Sequence, residues 1–244
     1  MKFRWHAAGV TDVGRLRRND EDAYLVDADE GLFAVADGVG GSRAGDVASR
    51  LAVETAARVL REERASPSGE AEPAVIGRMF SAAHRAIIAR AAADPRVSEM
   101  ATTLVLLHCD GDRAWIAHSG DSRVYRWRDG TLERLSRDHS FAEELQKAAG
   151  VEVRAKSPFG HVLTRCLGRE GSWEPDVREI DVVPGDRFLL CCDGLTDMVD
   201  EPELAALLSL RRPPEETGRR LIDSANAAGG KDNITAVVVD FREP

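Results

Sequence analysis

The sequence predicts an α+β domain in which two antiparallel β-sheets pack as a central sandwich with helices on its flanks. Three observations carry this. Strands and helices come in separate runs rather than alternating one by one, which favours antiparallel sheets over a doubly wound parallel one. Short strands are joined by Asp-Gly turns, as at Asp110-Gly111 and Asp129-Gly130. The 244 residues, 43% of them hydrophobic, are enough to bury a substantial core within one domain spanning 1–244.

The elements follow in order. LFAVA, Leu32 to Ala36, is a short apolar strand that stops at Asp37-Gly38 and runs into a helix. Val47, Leu51, Thr55 and Val59 recur every four residues, as do Val75, Met79, Ala83, Ile87 and Ala91, which predicts two amphipathic helices. The polar stretch ERASPSGEAEP, Glu63 to Pro73, separates them, and Asp94-Pro95 closes the second. TTLVLLH (Thr102 to His108), RAWIAHS (Arg113 to Ser119), RVYRW (Arg123 to Trp127) and a further short strand read as an antiparallel meander. A polar helix from about Ser140 to Ala149 leads into Val151 to Trp173, which has no period and reads as a long functional loop. DVREIDV, the Pro184-Gly185-Asp186 turn and RFLLCC read as a second hairpin; two helices near Glu201 to Ser209 and Pro214 to Ala228 precede the last strand, ITAVVVDF, Ile234 to Phe241.

Composition excludes several classes. With 33 basic against 42 acidic residues, a net charge of -9 and no basic block, the chain is not built to track a nucleic acid backbone. Cys109, Cys166, Cys191 and Cys192 show no C-x-x-C spacing, so they read as buried thiols in a reducing compartment. Neither a signal-peptide stretch nor an 18-residue apolar span occurs, which predicts a soluble cytoplasmic protein with no membrane contact.

The informative residues are acids at element ends. Four Asp-Gly pairs occur; those at Asp110 and Asp129 join strands, and a turn explains them. Those at Asp37 and Asp193 follow wholly apolar runs, LFAVA and FLLCC, and precede helix-like segments. Another apolar strand, AWIAHSG, ends at Asp121. Glu21-Asp22 in RRNDEDAYL stands directly before the first strand, and Asp232-Asn233 directly before the last. Each acid taken singly fits an exposed turn or helix cap, but a carboxylate ending a buried strand is costly to desolvate unless a cation or hydrogen bonds match it. Five segments converging in this way point to a metal. Oxygen-only donors select Mg²⁺ or Mn²⁺ over zinc or copper. Two such ions sharing one carboxylate would acidify a water for in-line attack on phosphorus, with no covalent intermediate.

Rival phosphate chemistries fail on particular positions. GGSRAGD lacks the lysine of a P-loop. Val35, two residues before Asp37, removes the D-x-D of aspartyl phosphatases, and Met198, six after Cys192, removes the arginine a cysteine phosphatase needs. His6, His84, His108, His118, His139 and His161 show no metal-ligand spacing and read as helix-face or strand residues.

The ordered set RRNDED, VADGVGG, TTL, GDSR, DHS, LTRCLG, CDGL and DN-x-T, spread over nearly the whole chain, resembles the metal-dependent serine/threonine protein phosphatases of type 2C in their compact bacterial form. The resemblance implies a four-layer α/β/β/α arrangement. It implies that Asp37 bridges two Mn²⁺ or Mg²⁺ ions, with Glu21 and the Gly38 carbonyl completing one and Asp193 and Asp232 the other. Asp22 resembles the acid that hydrogen-bonds a metal-bound water, and Asp121 the ligand of a third, weaker ion. Arg17 matches the arginine that grips the substrate phosphate, a task suited to a planar fork of donors. Asn233 would orient solvent or backbone near Asp232, and 151–173 would be the flap beside the site. Three positions depart from the pattern: Asp20 replaces a usual Asn, Ala101 a common Gly, and Val39 stands where some members have a histidine proposed as general acid, which leaves that role unassigned. The implied partners are phosphorylated proteins, a cognate serine/threonine kinase and its targets, met by a monomer. Two other readings use the same residues: a phosphatase-fold binding protein without catalysis, which would be expected to lack a metal acid, and a dedicated phosphatase of one signalling regulator.

Overall fold

The computed structural model describes residues 4–39, 44–111, 113–149 and 162–242. One sheet runs in the order β1 (Arg4–Asp12), β11 (Ile234–Arg242), β10 (Arg187–Cys191), β7 (Arg123–Arg128) and β8 (Thr131–Arg134). The other runs β2 (Asp22–Asp27), β3 (Leu32–Val39), β5 (Leu104–Asp110), β6 (Arg113–Ser119) and β9 (Asp176–Ile180), with the two-residue β4 (Ala101–Thr102) also paired to β3. All pairings are antiparallel.

The period-two alternation of the strands sets the layers. In β3, Phe33 and Val35 face the opposite sheet and meet Phe188, Leu190, Val237 and Val239. Leu32, Ala34 and Ala36 point the other way, onto α1 (Gly45–Ala65) and α2 (Glu72–Ala93). On the far side Leu189, Ala236 and Val238 pack against α4 (Asp193–Thr196), α5 (Glu201–Ser209) and α6 (Pro214–Ala227). The order is therefore helix, sheet, sheet, helix, because β3, β10 and β11 each bury both faces. The remaining helix, α3 (Phe141–Ala149), is the polar one.

Three expectations change. The meander is broken: β5 and β6 pair in one sheet, β7 and β8 in the other, and the chain changes sheets at Gly120-Asp121-Ser122. Gly120 has φ of 113°, and a Cβ there would lie 2.6 Å from Thr103 Cγ2, so a glycine is required at the crossing. The predicted second hairpin is also split, since β9 pairs with β6 while β10 pairs with β7 and β11. Local alternation reads the same whichever sheet a strand joins, so sequence pattern could not distinguish these cases. Finally, a strand, β1, precedes the one expected to be first. Its middle, Ala7-Ala8-Gly9, has weak strand propensity, and it forms as a strand by pairing with β11 from Arg4 opposite Arg242 to Asp12 opposite Ile234. Of the expected flap, 151–161 lies outside the described residues; beyond it Leu163 bridges to Ser140 and Leu167 to Thr102.

Candidate metal centre

One end of the sandwich gathers the predicted acids. Glu21 precedes β2, Asp37 and Gly38 sit at the end of β3, Asp121 in the crossing between sheets, Asp193 at the start of α4, and Asp232 before β11. Together with Arg17, Val39, Leu163 and Asn233 they line a single cleft of about 190 Å³. Asp22 lies beneath it, directly opposite Asp37 in the β2–β3 register. All nine predicted site residues therefore come together.

Backbone contacts explain how. Gly38 N donates to Glu21 O at 3.1 Å, and a Cβ on Gly38 would fall 2.5 Å from both Glu21 O and Gly45 O, so only glycine lets these chains meet. Asn233 has its side chain committed to backbone: Oδ1 accepts from Glu21 N at 2.9 Å, and Nδ2 donates to Val13 O at 3.0 Å and Asn19 O at 2.9 Å. It buckles the start of β11 to the loop that carries Arg17 and Glu21, which is a positioning task rather than contact with reacting atoms. Arg17 Nη2 donates to Asp232 Oδ2 at 2.6 Å. Asp20, the departure next to Glu21, accepts from Thr11 Oγ1 at 2.6 Å and Asp22 N at 3.1 Å, so its carboxylate serves the turn.

The electrostatics are those of acids crowded together. Burial, then the neighbouring Asp22, Asp193, Asp121 and Asp232 charges, push Asp37 well above the ordinary carboxylate range. Burial followed by Asp193 and Asp138 does the same to Asp121. Asp22 is pushed up to about 7, first by burial and against the pull of Thr235 and Cys192, and both its oxygens are sealed from solvent without a well-formed hydrogen bond. Burial also raises Glu21 and Asp232, each partly offset by Arg17. Buried carboxylates left short of partners are what hard divalent cations stabilise, and every side-chain donor among the predicted ligands is oxygen, so the residues fit such ions.

A stability prediction follows. A carboxyl whose pKa rises on folding holds a proton that the unfolded chain has released, so stability falls as pH climbs from the unfolded value of 3.8 through the folded one, about 7 for Asp22. Metal-free protein should therefore show a Tm that declines across this window. Saturating Mn²⁺ should raise Tm by roughly 5 to 10 °C and flatten the decline, which corresponds to about 2.7 kcal/mol at a hundredfold excess over Kd. Scanning calorimetry at several pH values, with and without Mn²⁺, checks it; a Tm that rises with pH in the metal-free protein contradicts it.

Several residues with no assigned role complete the site. Thr103 Oγ1 accepts from Asp37 N at 3.0 Å, Thr102 Oγ1 donates to Asp37 O at 2.8 Å, and Thr103 Oγ1 lies 2.7 Å from Ser122 Oγ. The TTL and GDSR motifs were the available signals. Arg123 forks onto Asp138, with Nη2 to Oδ2 at 2.7 Å, tying GDSR to DHS. His118 and His139, far apart in sequence, meet with Asp176, their ligand-capable atoms within 4.8 Å of one another. Their rings stack at 4.6 Å and 10°. Parallel rings do not aim two lone pairs at one point. His139 Nδ1 instead accepts from Gly120 N at 3.2 Å, and His118 Nε2 lies 2.6 Å from Arg137 O, which clamps the crossing beside Asp121.

Residues 15–234 match the family model described as Protein phosphatase 2C. The chain belongs to the protein phosphatase 2C family. It is 35% identical over 240 residues to the serine/threonine phosphatase Stp of Listeria welshimeri, covering 96% of this chain and 95% of that protein. The crystal structure of the Mycobacterium tuberculosis serine/threonine phosphatase PstP/Ppp superposes with a TM-score of 0.89 at 33% identity, over 98% of this chain and 100% of that one. A structure of the PstP catalytic domain in complex with two manganese ions gives a TM-score of 0.85 at 32% identity, over 99% and 100% of the chains. This 2C phosphatase thus shares its two-sheet, helix-flanked fold with serine/threonine phosphatases. It also keeps a valine, Val39, in the cleft wall, and no histidine lines that cleft among the described residues.

Proposed function

We propose that this phosphatase hydrolyses phosphoserine and phosphothreonine in proteins with two Mn²⁺ or Mg²⁺ ions and a third, weaker one. The observation that carries the reading is the single cleft lined by Glu21, Asp37, Asp121, Asp193 and Asp232 with Arg17 on its wall. Asp37 would bridge the pair of ions, Glu21 and the Gly38 carbonyl would hold one, Asp193 and Asp232 the other, and Asp121 the third. Divalent ions held there supply Lewis acidity and lower the pKa of water at the site. The chain's own residues position the rest. Arg17 offers a planar fork for a bidentate phosphate contact, Asp22 lies under Asp37 with both oxygens shut off from bulk solvent and unpartnered, free to accept from a water held with the ions, Thr102 and Thr103 hold the Asp37 backbone, and Asn233 holds the Glu21 loop. An inactive binding protein is disfavoured, because none of the metal acids is missing from the cleft.

The whole chain, 1–244, would act as one catalytic domain, with 151–173 as its flap. A cytoplasmic monomer opposing a serine/threonine kinase fits the four free cysteines and the net charge of -9. Among the described residues, no helix is long and apolar enough to cross a membrane.

The decisive experiment is phosphate release from a small aryl phosphate. Mn²⁺ or Mg²⁺ should support it, chelator should abolish it, and Zn²⁺ should not restore it; full turnover in excess chelator overturns the reading. Arg17→Ala separates phosphate binding from metal binding. Charge-assisted hydrogen bonds contribute about 1.5 to 3 kcal/mol, so kcat/KM should fall roughly tenfold to a hundredfold, mostly through KM. Mn²⁺ affinity should not fall, because Asp232 loses a competing cation. Calorimetric Mn²⁺ titration beside steady-state kinetics reads both.

A further inference from the structure

The loop that carries Arg17 holds more positive charge than phosphate binding needs. GRLRRN, Gly14 to Asn19, contains three arginines and no acid, and Arg15, Arg17 and Arg18 are all exposed. Most arginines of this acidic chain lie in ion pairs, with partners such as Asp27, Asp94, Asp138 and Asp186. Among the described residues Arg15, Arg18 and the exposed Lys231 form none. Asp12, the acid near Arg15, already accepts from Gly14 N at 2.9 Å and Asn226 Nδ2 at 3.0 Å.

These three cations are held together beside the cleft. Arg15 N donates to Gly230 O at 2.7 Å, which joins the arginine loop to the segment holding Lys231. Asn233 bonds Val13 O and Asn19 O and so closes the same contact from the other side. Arg18 adjoins Arg17 and Lys231 adjoins Asp232, both of which line the cleft. Adjacent Cα atoms are about 3.8 Å apart, so the backbones of Arg18 and Lys231 each lie one residue from a residue that lines the cleft. A second feature marks the same loop as a contact surface. Leu16, at 70% exposure, is the most exposed large apolar side chain described, and it stands among the arginines. Val39 and Leu163 add apolar surface to the cleft lining.

We propose that Arg15, Arg18 and Lys231 form a basic rim that selects phosphoproteins whose phosphorylated residue is flanked by aspartate or glutamate. Residues next to a bound phosphoresidue lie about 3.3 to 3.6 Å apart along an extended chain, so acidic neighbours fall within a Debye length of the rim at about 0.1 M salt. Most of the protein's surface charge repels such a segment; this rim attracts it and aligns it over the cleft. The inference deepens the phosphatase reading of the same site and rests on it.

The test compares kcat/KM for two synthetic phosphothreonine peptides, one with acidic and one with alanine flanks, together with a small aryl phosphate. Wild-type protein with Mn²⁺ should prefer the acidic peptide by about tenfold, the size that three exposed charge pairs give together. The preference should sit in KM and shrink as salt rises from about 0.05 M to about 0.5 M. In the triple variant Arg15→Glu, Arg18→Glu, Lys231→Glu the ratio of the two peptides should fall to one or below. Because the readout is a ratio within one protein, any general loss of folding or metal cancels. Hydrolysis of the aryl phosphate with a peptide ratio near one in wild type, or a ratio unchanged in the variant, overturns the rim and leaves the phosphatase reading standing. No aryl phosphate hydrolysis overturns both.

Discussion

Asp193→Asn is expected to lower kcat by about a thousandfold while leaving the fold intact and the metal-free protein more stable. The two halves have one cause. Asp193 stands at the electrostatic centre of the cleft, and its charge contributes to the raised pKa values of Asp22, Asp37, Asp121 and Asp232. Without metal that charge is repulsive, so an amide of the same shape relieves the neighbours and Tm should rise, most clearly near neutral pH. In the proposed metal centre the charge would hold an ion and stabilise developing negative charge, a contribution of several kcal/mol at about 1.36 kcal/mol per tenfold in rate. A site that destabilises its own empty state in order to bind is a common form of the stability–activity trade-off. Steady-state kinetics, metal analysis and calorimetry on the same preparation decide the matter. Turnover near that of wild type would remove Asp193 from the metal centre, and a lowered metal-free Tm would refute the repulsion argument.

The second large effect is on stability. Among the described residues Arg187 is the one fully buried arginine, only 1% exposed, at the start of β10 where that strand meets α5 and α6. Its fork meets Asp240 through Nε–Oδ1 at 2.6 Å and Nη2–Oδ2 at 2.9 Å, and its remaining donors reach Leu208 O at 3.2 Å, Thr217 Oγ1 at 3.3 Å and Arg212 O at 2.7 Å. Arg187→Ala strips the bidentate fork from the largely buried Asp240 carboxylate, leaving it only Arg242 Nη2 at 3.5 Å, and removes one donor each from the Leu208 and Arg212 carbonyls. Breaking a buried pair from one side costs about 3 to 5 kcal/mol, a large share of the 5 to 15 kcal/mol typical of a whole domain. Tm should drop by roughly 6 to 20 °C. A double variant, Arg187→Met with Asp240→Leu, should recover much of that loss, because no charge is then stranded. Thermal unfolding of both variants checks the argument; a single variant within about 1 °C of wild type would show that water, not Arg187, satisfies Asp240.

The two predictions draw on features of unequal legibility. Asp193 was readable because its surroundings are local: an apolar run ends at it and a helix follows. The same holds for Asp37, Asp121 and Asp232, and for the alternation of β3, β10 and β11 that stacks the layers. Those facts lie within a window of ten residues, where hydrophobic period and turn chemistry act directly. Arg187 was not readable. It stands at the head of RFLLCC as an ordinary strand-edge arginine, and only Asp240, 53 residues later and across the β10–β11 pairing, makes its burial possible.

Chain-local pattern therefore determined most of the elements, though not β1, together with the buried faces and the set of acids at element ends. Tertiary structure decided which sheet each strand joins, so that β6 parts from β7 and β9 from β10; it also committed Asn233 to backbone, sealed Asp22 under Asp37, and stacked His118 on His139 beside Asp121. The physical reason is common to all of these. Strand pairing, desolvation and ion pairing are energies between groups distant in sequence, and a polar side chain carries no local mark of which distant donor or acceptor will satisfy it once water is removed.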